Sequence, residues 1–257
     1  MKKELLYGII ILIVSISAII WYRAEKTIIT SKPIETIIIG TNTEFPPFSF
    51  IDNDTITGFD IDVITEVFKR LNKKITFKDM PFDALIPEIQ LGNIHAIAGG
   101  ITPTPERAQR SLFTQPHLTG NPLVIISPKN KPALTTIADL GEKTVVVNEG
   151  YFADSYISTI PGIEILRLSS TFISDGMLAL ESGSADAFVT ATYSIVPYFE
   201  KYDKNNFYVT DIPGTEEVSA FAVSKYYPEL RDYIQVTLDK MQEDGTLNTI
   251  KKKWKLL

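Results

Sequence analysis

"ITFKDMPFDALIPEIQLGNIHAIAGGITPTPERAQR", residues 75–110, decides the fold class. It opens on a β-branched and aromatic run, 75–80, that reads as a strand. Residues 82–93 carry apolar side chains at helical spacing and stop at Gly92-Asn93, a helix-ending pair. A second short strand comes next over 94–100, and Thr104-Pro105 then starts another helix with a capping hydroxyl and a first-turn proline. Strand, helix, strand, helix in 36 residues is the pattern of a sheet covered by helices.

Working outward, the same alternation continues on both sides. Residues 36–41, "TIIIGT", read as a buried strand, and 58–74 as an amphipathic helix with Ile61, Ile64, Val67, Phe68 and Leu71 on one face. After residue 121 the pattern restarts: strands at 122–127, 143–148, 163–168, 185–190 and 207–212, with helices at 150–159, 171–183 and 192–202, the last interrupted by Pro197. A further strand at 219–224 precedes a helical C-terminus from Pro228. Two α/β blocks without a sequence repeat are therefore expected, residues 34–119 and 122–213. The final segment, 216–257, returns to the first block. Two crossings, near 119–121 and 213–217, join the lobes, and a ligand would lie between them at the strand ends.

The N-terminus has a separate purpose. Lys2 and Lys3 precede an apolar run, residues 5–22, and Arg23 closes it. Such a run holds the lysine end in the cytoplasm and sends the downstream chain outside. It reads either as a cleaved signal peptide or as an uncleaved anchor, with residues 24–35 a polar linker. The chain has no cysteine, which excludes disulfides, thiol nucleophiles and thiolate metal sites. A net charge of -6 argues against a nucleic-acid partner.

Enzyme signals are sparse. Neither a phosphate loop, a nucleophile elbow nor a metal-ligand spacing is present, so no metal or cofactor is expected. "DNDTITG", 52–58, begins like a calcium loop but has Ile56 and Thr57 where an oxygen donor and a glycine are needed; it reads as a hairpin turn. His95 and His117 read as structural or solvent-facing, and Asp60 with Asp62 as a solvated helix start. The stretch "AGGITPTPER", 98–107, is different. Its two glycines admit a ligand to the backbone, two threonines supply hydroxyls, and Arg107 sits on the first turn of a helix. A guanidinium there is a receptor for a carboxylate. The alternative is that Arg107 pairs with a neighbouring acid such as Glu106.

Four motifs in order, "GTNTEFPPFSF…GFDIDV", "FDALIPEIQLGNIHAI", "ITPTPERAQRSLFTQP" and "EDGTLNTIKKKW", resemble the extracellular solute-binding proteins for polar amino acids, over nearly the whole chain from residue 36. The nearest likeness is to arginine, lysine, histidine and glutamine binders, which serve ATP-driven ABC importers. The resemblance implies a two-lobed, type II periplasmic-binding-protein-like fold, each lobe a mainly parallel sheet flanked by helices. It implies a monomer that closes over an amino acid, arginine favoured, and hands it to a membrane permease. By the same resemblance Phe45 and Phe82 pack on the ligand side chain, and Asn42 contacts its distal end. Gly99, Gly100 and Thr102 bind its amino and carboxylate ends, Arg107 clamps the carboxylate, and residues 149–152, among them Glu149, Gly150 and Phe152, form a closing loop. Thr190 lines the second lobe. One departure matters. The family places an acid for the α-ammonium where this chain has Ala191, so Glu149, Glu216 or Glu217 must substitute or the ligand lacks an ammonium. Exported cyclohexadienyl dehydratases, which act on prephenate or arogenate, share the fold and are the alternative reading.

Overall fold

The computed structural model describes residues 35–170 and 172–257. The expected leader or anchor over 1–23 and the linker over 24–35, apart from Glu35, lie outside the described residues. Among the described residues no helix is long and apolar enough to cross a membrane.

The chain starts with strand β1 (Thr36–Thr41), then a small antiparallel sheet of β2 (Glu44–Phe45), β3 (Ser49–Asp52) and β4 (Thr55–Thr57). Asn53 and Asp54 join β3 to β4 with φ of 46° and 60°. This pair of positive φ values suits a two-residue hairpin and the short polar side chains that tolerate it. The expected turn is there. Helix α1 (Phe59–Arg70) is next, burying Ile61, Ile64, Val67 and Phe68. It leads to β5 (Lys74–Asp79), a 3-10 turn at Phe82–Ala84, α2 (Leu85–Leu91), β6 (Ala96–Ile97), α3 (Pro105–Arg110) and β7 (Leu112–Phe113). Gly92 ends α2 in the left-handed region at φ 78°, the conformation its missing Cβ permits.

Strand β8 (Leu118–Asn121) carries the chain across to β9 (Leu123–Pro128), β10 (Thr144–Asn148), α4 (Phe152–Ile157), β11 (Glu164–Leu168), α5 (Ile173–Glu181), β12 (Ala187–Ala191), α6 (Thr192–Lys201) and β13 (Phe207–Asp211). It returns through β14 (Glu217–Ser219) to β15 (Ala222–Val223), α7 (Pro228–Glu243) and α8 (Thr246–Lys253). Helices α7 and α8 pack on α1.

Two five-stranded sheets result, ordered β5-β1-β6-β15-β7 and β11-β10-β12-β9-β13. In each, one strand (β1 or β10) lies between two parallel neighbours, and the last two pairings are antiparallel. The sheets thus share one strand plan although the sequences of the two blocks do not repeat. The antiparallel strands enter where the chain crosses between sheets. They are short apolar runs, so their direction has no signature in side-chain pattern. Crossing strands β8 and β14 pair antiparallel with one irregularity, Glu217 opposite Asn121 and Ser219 opposite Leu118. The second sheet is covered on both faces: Leu123, Val145, Val147, Ala187 and Val189 belong to one core, Val124, Ile126, Val146 and Phe188 to the other. Alternate residues of one strand filling opposite cores is the pleat periodicity at work.

Candidate functional site

The site is built where the ends of β1 and β6, the start of α3 and the loop after β10 meet. Asp60 organises its floor. The side chain is fully buried, and its carboxylate accepts from the amides of Gly99 and Gly100 at 3.0 and 2.6 Å. It also takes the Ser219 hydroxyl at 3.1 Å and faces His117 Nε2 at 2.8 Å. The expected solvated helix start is therefore corrected: Asp60 is an interior acid that four donors satisfy, and Asp62 holds Trp254 Nε1 at 2.7 Å and Lys253 Nζ at 2.6 Å. A sequence signal existed. Asp60 precedes Ile64 by four residues and Val67 by seven, so it lies on the buried face of α1. His95 is structural as well: its Nδ1 accepts from the Ile38 amide at 2.9 Å, and burial lowers its pKa.

Gly100 is required by its neighbour. Its φ is +69°, and a Cβ there would come within 2.5 Å of the Phe45 ring. Phe45 and Phe48 stack at 5.0 Å, so the loop around the Pro46-Pro47 pair sets Phe45 over the glycine. Phe50 leaves this cluster and packs edge-on against Trp254 at 5.7 Å.

Arg107 is 9% exposed. Thr104 caps α3 by accepting from the Arg107 amide at 3.2 Å, which orients the first turn. The guanidinium donates to the Thr102 carbonyl and to the Gly150 carbonyl, both at 2.7 Å. It also lies 5.3 Å from the centre of the Phe82 ring. Glu106 pairs with Arg110 at 3.2 Å rather than with Arg107. Among the described residues Arg107 forms no ion pair; its cation is held by main-chain oxygens, one from each block. Burial pushes its pKa down, and the nearby charge of Glu217 opposes that shift.

From the second block, Tyr151 enters between the two phenylalanines. Its ring stacks on Phe82 at 4.1 Å and meets Phe45 edge-on at 4.8 Å. Its hydroxyl donates to Asn42 Oδ1 at 3.5 Å, while Asn42 Nδ2 donates to the Met80 carbonyl at 3.3 Å. Asp154 fixes this loop by accepting from the Gly150 amide at 3.0 Å and from Arg167 at 2.9 Å. Asn42, Phe45, Phe82, Gly99, Gly100, Thr102, Arg107 and Gly150 are thus brought together. Glu149 is exposed, Phe152 packs with Tyr156 on the second block's core, and Thr190 is buried within β12. Tyr151 lies within the closing loop expected over 149–152 but was not itself named as a site residue, although an aromatic directly after the loop glycine was its signal.

The acids that could replace a charge at Ala191 separate cleanly. Glu149 and Glu216 are exposed, whereas Glu217 is 7% exposed. Its Oε2 accepts from Asn121 Nδ2 at 3.2 Å. Burial pushes its pKa up to about 8, against the pull of Arg107.

Two lobes, a crossing pair of strands and a buried cation bonded to both lobes are the features of a solute-binding protein. The chain belongs to the bacterial extracellular solute-binding proteins, family 3, which it matches over residues 37–256. It is 29% identical over 220 residues to the arginine-binding extracellular protein ArtP of Bacillus subtilis (strain 168), covering 85% of each chain. Among solved structures it is similar to an ancestral arginine-binding protein bound to arginine, at a TM-score of 0.79 and 30% identity, covering 86% of this chain and 98% of that one. It is similar also to the ancestral amino acid-binding protein AncCDT-1, a precursor of cyclohexadienyl dehydratase, at a TM-score of 0.75 and 30% identity, covering 86% and 95%.

Proposed function

We propose that this protein is the extracytoplasmic substrate-binding component of an ABC importer, closing two lobes over a polar or basic amino acid, with arginine favoured. The observation that carries the reading is Arg107: a buried guanidinium without a carboxylate partner among the described residues, bonded to main-chain oxygens of both lobes. A buried cation is costly unless a counter-charge arrives, so the site is complementary to a ligand carboxylate. Phe45 and Phe82 supply aromatic faces for the ligand side chain, which suits a planar guanidinium. The arginine named in the two relatives supports that choice.

In this reading residues 34–119 with 216–257 move against 122–213 about the β8–β14 pair, and the closed form docks on a membrane permease. The protein acts as a monomer outside the cytoplasmic membrane, with residues 5–22 as its leader or tether, and turns over no substrate. A thermal-shift screen against the twenty amino acids tests this. A ligand that binds only the folded form raises Tm by mass action. A large shift with arginine or another polar amino acid is expected; no shift with any of the twenty would overturn the reading.

One observation favours the dehydratase alternative. Glu217 is an acid held protonated near neutral pH beside Arg107, the state that a general acid needs to protonate a leaving hydroxyl. Formation of phenylpyruvate from prephenate would establish that activity.

A further inference from the structure

We infer that Glu217 and Arg107 form a two-point receptor for a zwitterion, in which Arg107 takes the ligand's carboxylate and Glu217 its α-ammonium. This rests on the amino-acid reading above and deepens it. The two groups feel each other's charge, and among the described residues they form no ion pair with each other. Arg107 spends its donors on the carbonyls of Thr102 and Gly150 instead.

Glu217 is held by the pair of strands that cross between the lobes. It stands on β14, at the crossing between lobes. Asn121, its partner on β8, donates to its carboxylate and accepts from the Tyr193 amide at 2.8 Å. Tyr193 lies in α6, two residues past Ala191 at the end of β12. A single asparagine therefore ties the acid of one lobe to the uncharged end of β12 in the other. Beside Glu217 is a cavity of about 10 Å³, lined by Gly100, Asn121, Glu217 and Ser219 together with the apolar Phe48, Leu118 and Val218. It has room for about one water-sized group, the size of an ammonium head.

Two buried acids near the site are already committed. Asp60 serves Gly99, Gly100, Ser219 and His117, and Asp154 serves Gly150, Ser158 and Arg167. The titratable and charged groups around Glu217 are thus Arg107 and, beneath the glycine loop, the Asp60–His117 pair.

Such a receptor must exchange protons with the buffer when it fills. Burial pushes the Glu217 pKa up to about 8, against the pull of Arg107. An arriving ammonium stabilises the carboxylate form, so the acid's proton leaves for the buffer as the ion pair forms. Binding at pH 7 then releases about one proton, and below the empty-site pKa apparent affinity increases about tenfold for each unit that pH is raised.

Titration calorimetry of the full chain tests this with arginine and glutamine, in two pH 7 buffers of different ionisation enthalpy. The same titrations use 5-guanidinopentanoate and glutaramate, which lack only the α-amino group. The wild type should release about one proton with an amino acid and none with its deamino analogue. Glu217→Gln should bind the amino acid at least about tenfold more weakly, release no proton, and bind the deamino analogue like the wild type. Proton-neutral binding of an amino acid by the wild type would overturn the inference while leaving the amino-acid reading intact, and this result needs no variant. Failure of the wild type to bind any α-amino acid would instead remove the reading beneath it.

Discussion

Replacing Tyr151 by alanine removes the one aromatic ring that the second lobe inserts between Phe45 and Phe82 of the first. That ring is 8% exposed, stacks on Phe82 at 4.1 Å with the planes 21° apart, and meets Phe45 at 4.8 Å. Each ring pair contributes about 0.5–1.5 kcal/mol beyond burial, and burial of the side chain contributes about 1.5–3 kcal/mol. Part of that burial survives in an open form, because Tyr151 keeps its own lobe's neighbours. The loss assignable to closure is then about 3 kcal/mol, a shift of about a hundredfold in the ratio of closed to open protein. The Arg107 to Gly150 bond remains as another inter-lobe tie. Small-angle scattering without ligand reads the change. The wild type should have the compact dimensions of the closed form, and Tyr151→Ala should expand, with far-UV circular dichroism unchanged. Identical radii of gyration for the two would mean that the Phe45–Tyr151–Phe82 stack does not hold the lobes together. The stack also means that a ligand side chain laid on Phe45 and Phe82 must first displace Tyr151. Ligand association by stopped flow should therefore be faster in the variant.

Arg107→Ala should abolish amino-acid binding in calorimetry. It should also cost about 1–3 kcal/mol in denaturant unfolding, because the Thr102 and Gly150 carbonyls lose a charged donor. Asp60→Ala strands two buried amides, the Ser219 hydroxyl and His117; a loss of about 3–5 kcal/mol in the same assay is expected, and wild-type stability would remove Asp60 as the organiser of the glycine loop. Glu217 has a folded pKa of about 8, above its usual 4.5. Its contribution to stability is therefore full below pH 4.5, declines as pH rises, and is lost above about pH 8. The ligand-free wild type should lose Tm relative to Glu217→Gln between pH 5 and pH 8, and a constant difference across that window would refute a buried, protonated Glu217.

Much of the architecture was legible because local rules govern it. The apolar spacing of α1, the Thr104-Pro105 start of α3, the Gly92 stop of α2 and the Asn53-Asp54 turn are each encoded within a few residues. So was the candidate carboxylate receptor at Arg107, because a glycine pair, a cap and an arginine lie together in the chain. What tertiary structure alone decided is direction and facing. The antiparallel course of β9 and β15 is set by where the chain re-enters each sheet, and short apolar runs look the same in either direction. Tyr151 meets Phe45 across more than a hundred residues of sequence, by the approach of two lobes. Glu216 and Glu217 are adjacent acids, yet one is exposed to solvent and the other is buried against Asn121. Successive side chains on a strand point to opposite sides, so the outcome turns on a register of one residue. Strand β14 is only three residues long, too short to carry an alternation of its own, and its pairing with Asn121 on β8 makes the choice.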